Sequence, residues 1–262
     1  MTAVQIIGGG KMGEALLAGV LAAGWASAER IRVVEADPAR REELYRRYPG
    51  VEMATVAAEA EGTVVAVKPG DVSDVVGAVV AAGGGRILSI AAGVTLAVLE
   101  AAAGPGVAVV RAMPNTPALV GRGAAAIAAG SWAGPADLDW ADRLLSSVGI
   151  VERVPEQFID AVTGVSGSGP AYLFLLAEAM IDAGVLVGLS RPMAERLVAQ
   201  TLLGSATLLA NSGGEDAGTL RAAVTSPGGT TAAALRELER GGMRAAVLDA
   251  VVAARDRAGE LA

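Results

Sequence analysis

The sequence predicts an α/β protein, an N-terminal doubly wound sheet followed by an all-helical half. Three observations carry that expectation. Short apolar strands alternate with helical segments up to Pro155, the pattern of a mostly parallel sheet. The first strand runs straight into a glycine-rich loop that opens a helix. Beyond Pro155 the strand pattern stops and only helical segments follow. The 262 residues suffice for two ordinary domains, expected at 1–155 and 156–262.

The elements follow in order. Val4-Gln5-Ile6-Ile7 is an apolar strand ending in Gly8-Gly9-Gly10-Lys11-Met12-Gly13. The next helix places Leu16, Leu17, Val20 and Leu21 on one face. The glycines fall as G-x-G-x-x-G at Gly8, Gly10 and Gly13. Gly8 permits the tight turn, Gly10 admits a pyrophosphate against the backbone, and Gly13 allows close helix–strand contact. In this position, directly after a strand, the spacing predicts a Rossmann-type dinucleotide loop. Ile31-Arg32-Val33-Val34-Glu35-Ala36-Asp37-Pro38 is the expected second strand. An acid about 20 residues beyond the glycines takes the ribose hydroxyls of NAD, and Glu35 and Asp37 both qualify. Arg40 and Arg41 follow at once and could instead pair with the 2′-phosphate of NADP. Asp37-Pro38 also has the form of a plain helix start. The residues leave these readings open.

Further strands are expected at 63–67, 86–90, 107–111, 123–129 and 150–154, with helices at 72–82, 96–102 and 137–147 between them. Ligands of such sheets bind outside the carboxyl ends of the strands. Three stretches lie there: Val67-Lys68-Pro69, Ile90-Ala91-Ala92-Gly93 and Met113-Pro114-Asn115-Thr116-Pro117. Lys68 suits a ribose or phosphate, and the Ala91 and Ala92 carbonyls with the Asn115 amide suit a nicotinamide. In the second half, Ser166-Gly167-Ser168-Gly169-Pro170 is expected to break a helix. A very apolar helix follows at 171–187. A helix apolar nearly all round must be covered on all sides. A helical half of roughly 105 residues offers little room for that, so packing on a second subunit is expected.

Composition narrows the chemistry. Hydrophobic residues make up 53% and charged residues 19%, and the net charge is −7, which disfavours nucleic acid and anionic membranes as partners. With neither cysteine nor histidine, thiolate chemistry, Cys/His metal sites and imidazole acid–base catalysis are excluded. No metal site is expected. Catalysis must rest on hydroxyls, carboxylates, lysine, backbone groups or a bound cofactor. The apolar window at 171–189 carries Glu178 and Asp182, which points to a soluble helix rather than a membrane span. No export signal is visible, so a cytoplasmic protein is expected.

The stretch Thr225-Ser226-Pro227-Gly228-Gly229-Thr230-Thr231 feeds a turn into a helix N-terminus, where unpaired N–H groups and the helix dipole favour an anion. Alone, it reads more readily as a helix capped by Ser226 or Thr225. Together with Ala66-Val67-Lys68-Pro69, Ile90-Ala91-Ala92-Gly93-Val94, Met113-Pro114-Asn115-Thr116-Pro117 and Asp160-Ala161-Val162-Thr163-Gly164-Val165-Ser166-Gly167-Ser168-Gly169-Pro170-Ala171-Tyr172, it resembles the pyrroline-5-carboxylate reductase family over essentially the whole chain.

The resemblance implies the final step of proline synthesis. Hydride passes from NADP(H), with NAD(H) also possible, to the C=N carbon of 1-pyrroline-5-carboxylate. It also implies a homodimer or a decamer built from dimers, with each site combining one subunit's nucleotide domain and the other's helical domain. Ser226, Gly229, Thr230 and Thr231 would receive the substrate carboxylate, and Thr163 would lie by the ring nitrogen as a catalytic hydroxyl beside Thr231. Three features depart from the family, one being a shorter segment between Met53 and Gly62. Glu35-Ala36-Asp37 is acidic where relatives often carry Ser, Asn or Arg, which admits NADH. Ala223 stands where some relatives have Asn.

Overall fold

The computed structural model describes residues 1–261. The chain forms two compact units, one made of residues 1–168 with the chain from Val252 onward, the other of Gly169–Val251.

The first unit is built on an eight-stranded sheet in the order β3-β2-β1-β4-β5-β6-β7-β8. The strands are β1 (Val4–Ile7), β2 (Ile31–Val34), β3 (Glu52–Ala54), β4 (Ala60–Val65), β5 (Gly84–Ser89), β6 (Val109–Met113), β7 (Gly123–Ala129) and β8 (Gly149–Arg153). All neighbours run parallel except β6 and β7. The order reverses at β1, which pairs with β2 on one side and β4 on the other, so the crevice outside its carboxyl end is the binding place of such sheets. The helices are α1 (Lys11–Ala22), α2 (Pro38–Arg47), α3 (Val72–Ala81), α4 (Leu96–Ala103), α5 (Pro135–Leu145) and α6 (Ile159–Val162).

Parallel strands are covered on both faces, so their residues are apolar in runs rather than alternately. Two core clusters show this. On one, Ile6, Leu16, Leu17, Leu44, Val64 and Leu144 are fully buried. On the other, Val65, Val76, Ile87, Leu99 and Val109 are. One polar pair lies in the sheet: the Gln5 amide donates to Thr63 Oγ1 and to the Ala58 carbonyl and accepts the Ala58 N–H, so its polar atoms are satisfied.

The expected break at 166–170 is not a break. After α6 the chain makes a π-helical turn over Thr163–Gly167 and, past Ser168 alone, enters α7 (Gly169–Leu186). The glycines permit this wide turn, because Met113 Cε would lie 2.7 Å from any Cβ at Gly167. Pro170 is tolerated because it falls in the first turn of α7, where no intrahelical N–H bond is needed.

The second unit is helical: α7, α8 (Arg191–Ala210), α9 (Ala217–Ala223), α10 (Thr230–Arg240) and the first part of α11 (Met243–Glu260). Helices α7 and α8 pack on each other where Gly184 lies against Ala194. Every residue of α7 is at least partly exposed; Leu173 is 55%, Phe174 69% and Leu175 68% exposed. The run from 156 to 186 is long and apolar enough to cross a membrane by length and composition.

Candidate functional site

The glycine loop is built into the sheet rather than laid on it. Gly8 donates its N–H to the Val34 carbonyl at 2.8 Å and has φ of +103°, a conformation that favours glycine. A Cβ there would meet the Ala66 carbonyl oxygen at 2.5 Å and Val67 Cγ1 at 3.3 Å, which brings the end of β4 against the loop. A Cβ on Gly13 would lie 2.0 Å from the Gly8 carbonyl oxygen. Gly10 differs: nothing stands within 4 Å of its Cβ position. Gly10 is the N-cap of α1 with no side-chain cap, so the first N–H groups of the helix, at Lys11, Met12 and Gly13, have no acceptor within it. Three glycines therefore do the three things their spacing predicts: turn, open approach and close packing. The open cradle before an uncapped helix start fits the pyrophosphate of a dinucleotide.

The acid at the end of β2 is Glu35. Its Oε2 accepts the Gly9 N–H at 2.8 Å and its Oε1 the Asp37 N–H at 2.9 Å. Asp37 itself caps α2, accepting from the Ala39 and Arg40 N–H groups, so its carboxylate serves the helix start. Arg40 turns back to the loop. Its Nε donates to the Gly9 carbonyl at 2.7 Å, and its terminal nitrogens pair with Glu43 at 2.6 Å and with Glu14. Glu14 also accepts from Arg47 at 2.5 Å and from the Tyr48 hydroxyl at 3.0 Å. Partial burial, the largest single influence, pushes the Glu14 carboxyl up. The hydrogen bonds from Arg40, Arg47 and Tyr48 together outweigh it, and the group ends below the usual carboxylate range. This brace between α1 and α2 is absent from any motif; its only sequence signal is the density of Arg and Glu over 40–47.

At the other strand ends, Lys68 is exposed in front of the turn Pro69–Asp71. Ala91 is buried, Ala92 exposed, and Gly93 at φ +76° passes beside Leu261. Asn115 is engaged at both ends of its amide. It is 9% exposed, its Nδ2 donates to the Ser166 carbonyl at 3.0 Å, and its Oδ1 accepts the Ala124 N–H at 2.8 Å. Both ends of the amide thus fasten the π turn to the start of β7, each keeping one further hydrogen or lone pair.

Thr163 opens the π turn and is half-buried. Its hydroxyl donates to the Ile159 carbonyl at 2.9 Å, which leaves the oxygen's lone pairs to accept from a ligand. The segment is anchored by Arg111, 4% exposed, which pairs with Glu156 at 2.9 Å and Asp160 at 3.5 Å. Glu156 also accepts the Leu96 N–H at 2.6 Å. A π turn interrupting a helix is a frequent mark of a functional segment.

In the second unit, Gly229 is the N-cap of α10 and no side chain caps the helix. The Thr225 hydroxyl points back, donating to the Arg221 carbonyl at 2.6 Å. Gly228 has φ of +69°, and a Cβ on Gly229 would lie 2.3 Å from Ser226 Oγ. The simple reading, a helix capped by Ser226 or Thr225, is therefore not what the chain adopts. Ser226, Gly229, Thr230 and Thr231 surround a bare helix N-terminus, the geometry that receives an anion.

The doubly wound sheet, the glycine cradle at its switch point and the carboxylate-terminated second strand define a nicotinamide-dinucleotide-dependent oxidoreductase. The comparisons with known proteins agree. Residues 3–93 match the family model for NADP oxidoreductase, coenzyme F420-dependent, and residues 156–261 match that for pyrroline-5-carboxylate reductase dimerisation. A pyrroline-5-carboxylate reductase of Mycobacterium tuberculosis is 47% identical, covering 100% of this chain and 97% of its own. One from Synechocystis is 46% identical, covering 98% and 97%. Among solved structures, a pyrroline-5-carboxylate reductase from Coxiella burnetii superposes with a TM-score of 0.92 at 34% identity over 100% of this chain and 99% of that one. The Plasmodium falciparum pyrroline carboxylate reductase with NADP bound gives 0.86 at 29% identity over 99% and 98%. Prephenate dehydrogenase from Aquifex aeolicus, at 14% identity and a TM-score of 0.55, shares the fold alone. The chain belongs to the pyrroline-5-carboxylate reductase family.

Proposed function

We propose that this protein reduces 1-pyrroline-5-carboxylate to L-proline, the final step of proline biosynthesis, in the cytoplasm. The single observation that carries the reading to the substrate is the uncapped start of α10, framed by the turn from Ser226 to Gly229. It offers the substrate carboxylate the N–H groups of Thr230 and Thr231 and the Thr231 hydroxyl, with Ser226 at its edge.

When bound, the reduced dinucleotide, NADPH or NADH, supplies a hydride to the imine carbon. The chain's own work is to bind and orient. The cradle at Gly8, Gly9, Gly10, Lys11, Met12 and Gly13 takes the pyrophosphate, and Val67, Lys68 and Pro69 line the ribose side. The Ala91 and Ala92 backbone offers acceptors for the nicotinamide amide. A cyclic imine protonates near neutral pH, so no strong acid is required, which suits a chain without histidine. Thr163, its own hydrogen given to Ile159, accepts the N–H of the protonated ring nitrogen and fixes the imine face. Hydride addition to the carbon then leaves a neutral secondary amine that takes a proton from water on release.

The chain self-associates through its dimerisation domain. Our reading is a homodimer in which the apolar surface of α7 meets a second copy, with assembly to a decamer as the higher state. A subunit interface accounts for exposed Leu173, Phe174 and Leu175 without a membrane, and Glu178 and Asp182 in the same helix favour it. The test of the activity is oxidation of NADPH and of NADH on addition of the imine. Turnover with at least one is expected, and turnover with neither would sink the reading.

A further inference from the structure

The surroundings of the glycine loop speak to which dinucleotide this chain accepts. Glu35 stands where the adenosine ribose of a dinucleotide falls in this fold. Its two oxygens are held by the Gly9 and Asp37 N–H groups at 2.8 and 2.9 Å, so the carboxylate is fixed rather than free to swing away. A 2′-phosphate would bring negative charge against it, whereas the 2′-hydroxyl of NADH can donate to it.

The first cation that follows does not offset this. All three guanidinium nitrogens of Arg40 are engaged, by the Gly9 carbonyl, Glu43 and Glu14. Its pairing with Glu14 is largely covered, the two side chains being 21% and 15% exposed. Arg41 donates to the Glu35 carbonyl at 2.7 Å and to the Ala36 carbonyl at 3.4 Å. Arg40 is therefore not the open fork that bidentate phosphate recognition uses, while Arg41 is committed through Nη1 alone, to the carbonyls beside Glu35. Asp37 adds a further negative charge in the same turn.

We infer that Glu35 sets the dinucleotide preference of this chain, which uses NADH at least as well as NADPH. Arg40 is a positioning residue that holds the Gly9 backbone for either dinucleotide. This rests on the reductase reading for its kinetic assay but not for its binding assay.

The experiment is steady-state kinetics with both dinucleotides, together with titration of each into the protein followed by nicotinamide fluorescence. Wild type should show kcat/KM with NADH equal to or above that with NADPH. Arg40→Met should raise KM for both by the same factor, about tenfold, with the KM for the imine unchanged, and Arg40→Lys should recover part of the loss. A residue that only stabilised the fold would move the imine KM and kcat as well. Glu35→Gln should shift the ratio about tenfold toward NADPH. A wild-type preference for NADPH overturns the inference, as does a loss confined to NADPH in Arg40→Met or Arg41→Met. If wild type turns over neither dinucleotide, the reductase reading fails, and the two titrations still decide between NADH and NADPH.

Discussion

Two glycine-rich turns each feed a helix N-terminus, and they are built differently. The turn at Gly8–Gly13 is held by its own unit. Its glycines press on the Ala66 and Gly8 carbonyls, Glu35 and Arg40 grip Gly9, and Leu16 and Leu17 behind it are fully buried. The turn at Ser226–Thr231 has almost no such support. Its residues are exposed or half-buried, and its one tight contact is Ser226 on Gly229. The first is preorganised by the chain that carries it. The second lies in a unit whose apolar helices lack cover in a single chain. The dinucleotide cradle is thus finished by one unit, while the proposed substrate turn is left open in a single chain.

The largest expected effect lies in the proposed assembly. Phe174→Glu leaves an unpaired charge in the proposed interface, on the order of 3–5 kcal/mol. Light scattering should show a monomer that binds the dinucleotide and does not turn over the imine; an active dimer would break the comparison. Next is Gly13→Ala, whose Cβ would sit 2.0 Å from the Gly8 carbonyl oxygen. It should cost about 3 kcal/mol in denaturant unfolding. Gly10→Ala, with open space around the new methyl, should leave stability intact and weaken dinucleotide binding alone.

Thr231→Ala should raise KM for the imine by an amount corresponding to about 1.5–3 kcal/mol, with Tm unchanged because the turn supports little else. An unchanged KM would place the carboxylate elsewhere. The smallest effect belongs to the brace behind the first turn. Glu14 is held below its ordinary range, so it stabilises the fold above about pH 4.5, and that contribution is lost as pH falls through its lowered folded value. Glu14→Gln should therefore cost about 1 kcal/mol near neutrality, and its Tm should converge with wild type in acid.

Most of the nucleotide unit was legible in order, because strand, glycine loop and helix are local patterns. The third strand, Glu52–Ala54, was not, since three residues with a polar start carry no periodicity and gain their strand character only by pairing with β2. The break expected at 166–170 failed for a related reason. Gly and Pro are helix breakers by local propensity, yet packing against Met113 and the bond from Asn115 hold the same residues in a π turn.

The sequence by itself determined the fold class, the glycine loop and the family, because those reside in spacing and residue type. Only the tertiary structure decided the allegiance of individual polar side chains. Asp37 went to a helix cap, Asn115 to a joint between segments, and Arg40 to the glycine loop and Glu14. The physical reason is that a side chain's partner is chosen by what folding brings within about 3 Å of it, and these partners lie up to 51 positions away along the chain.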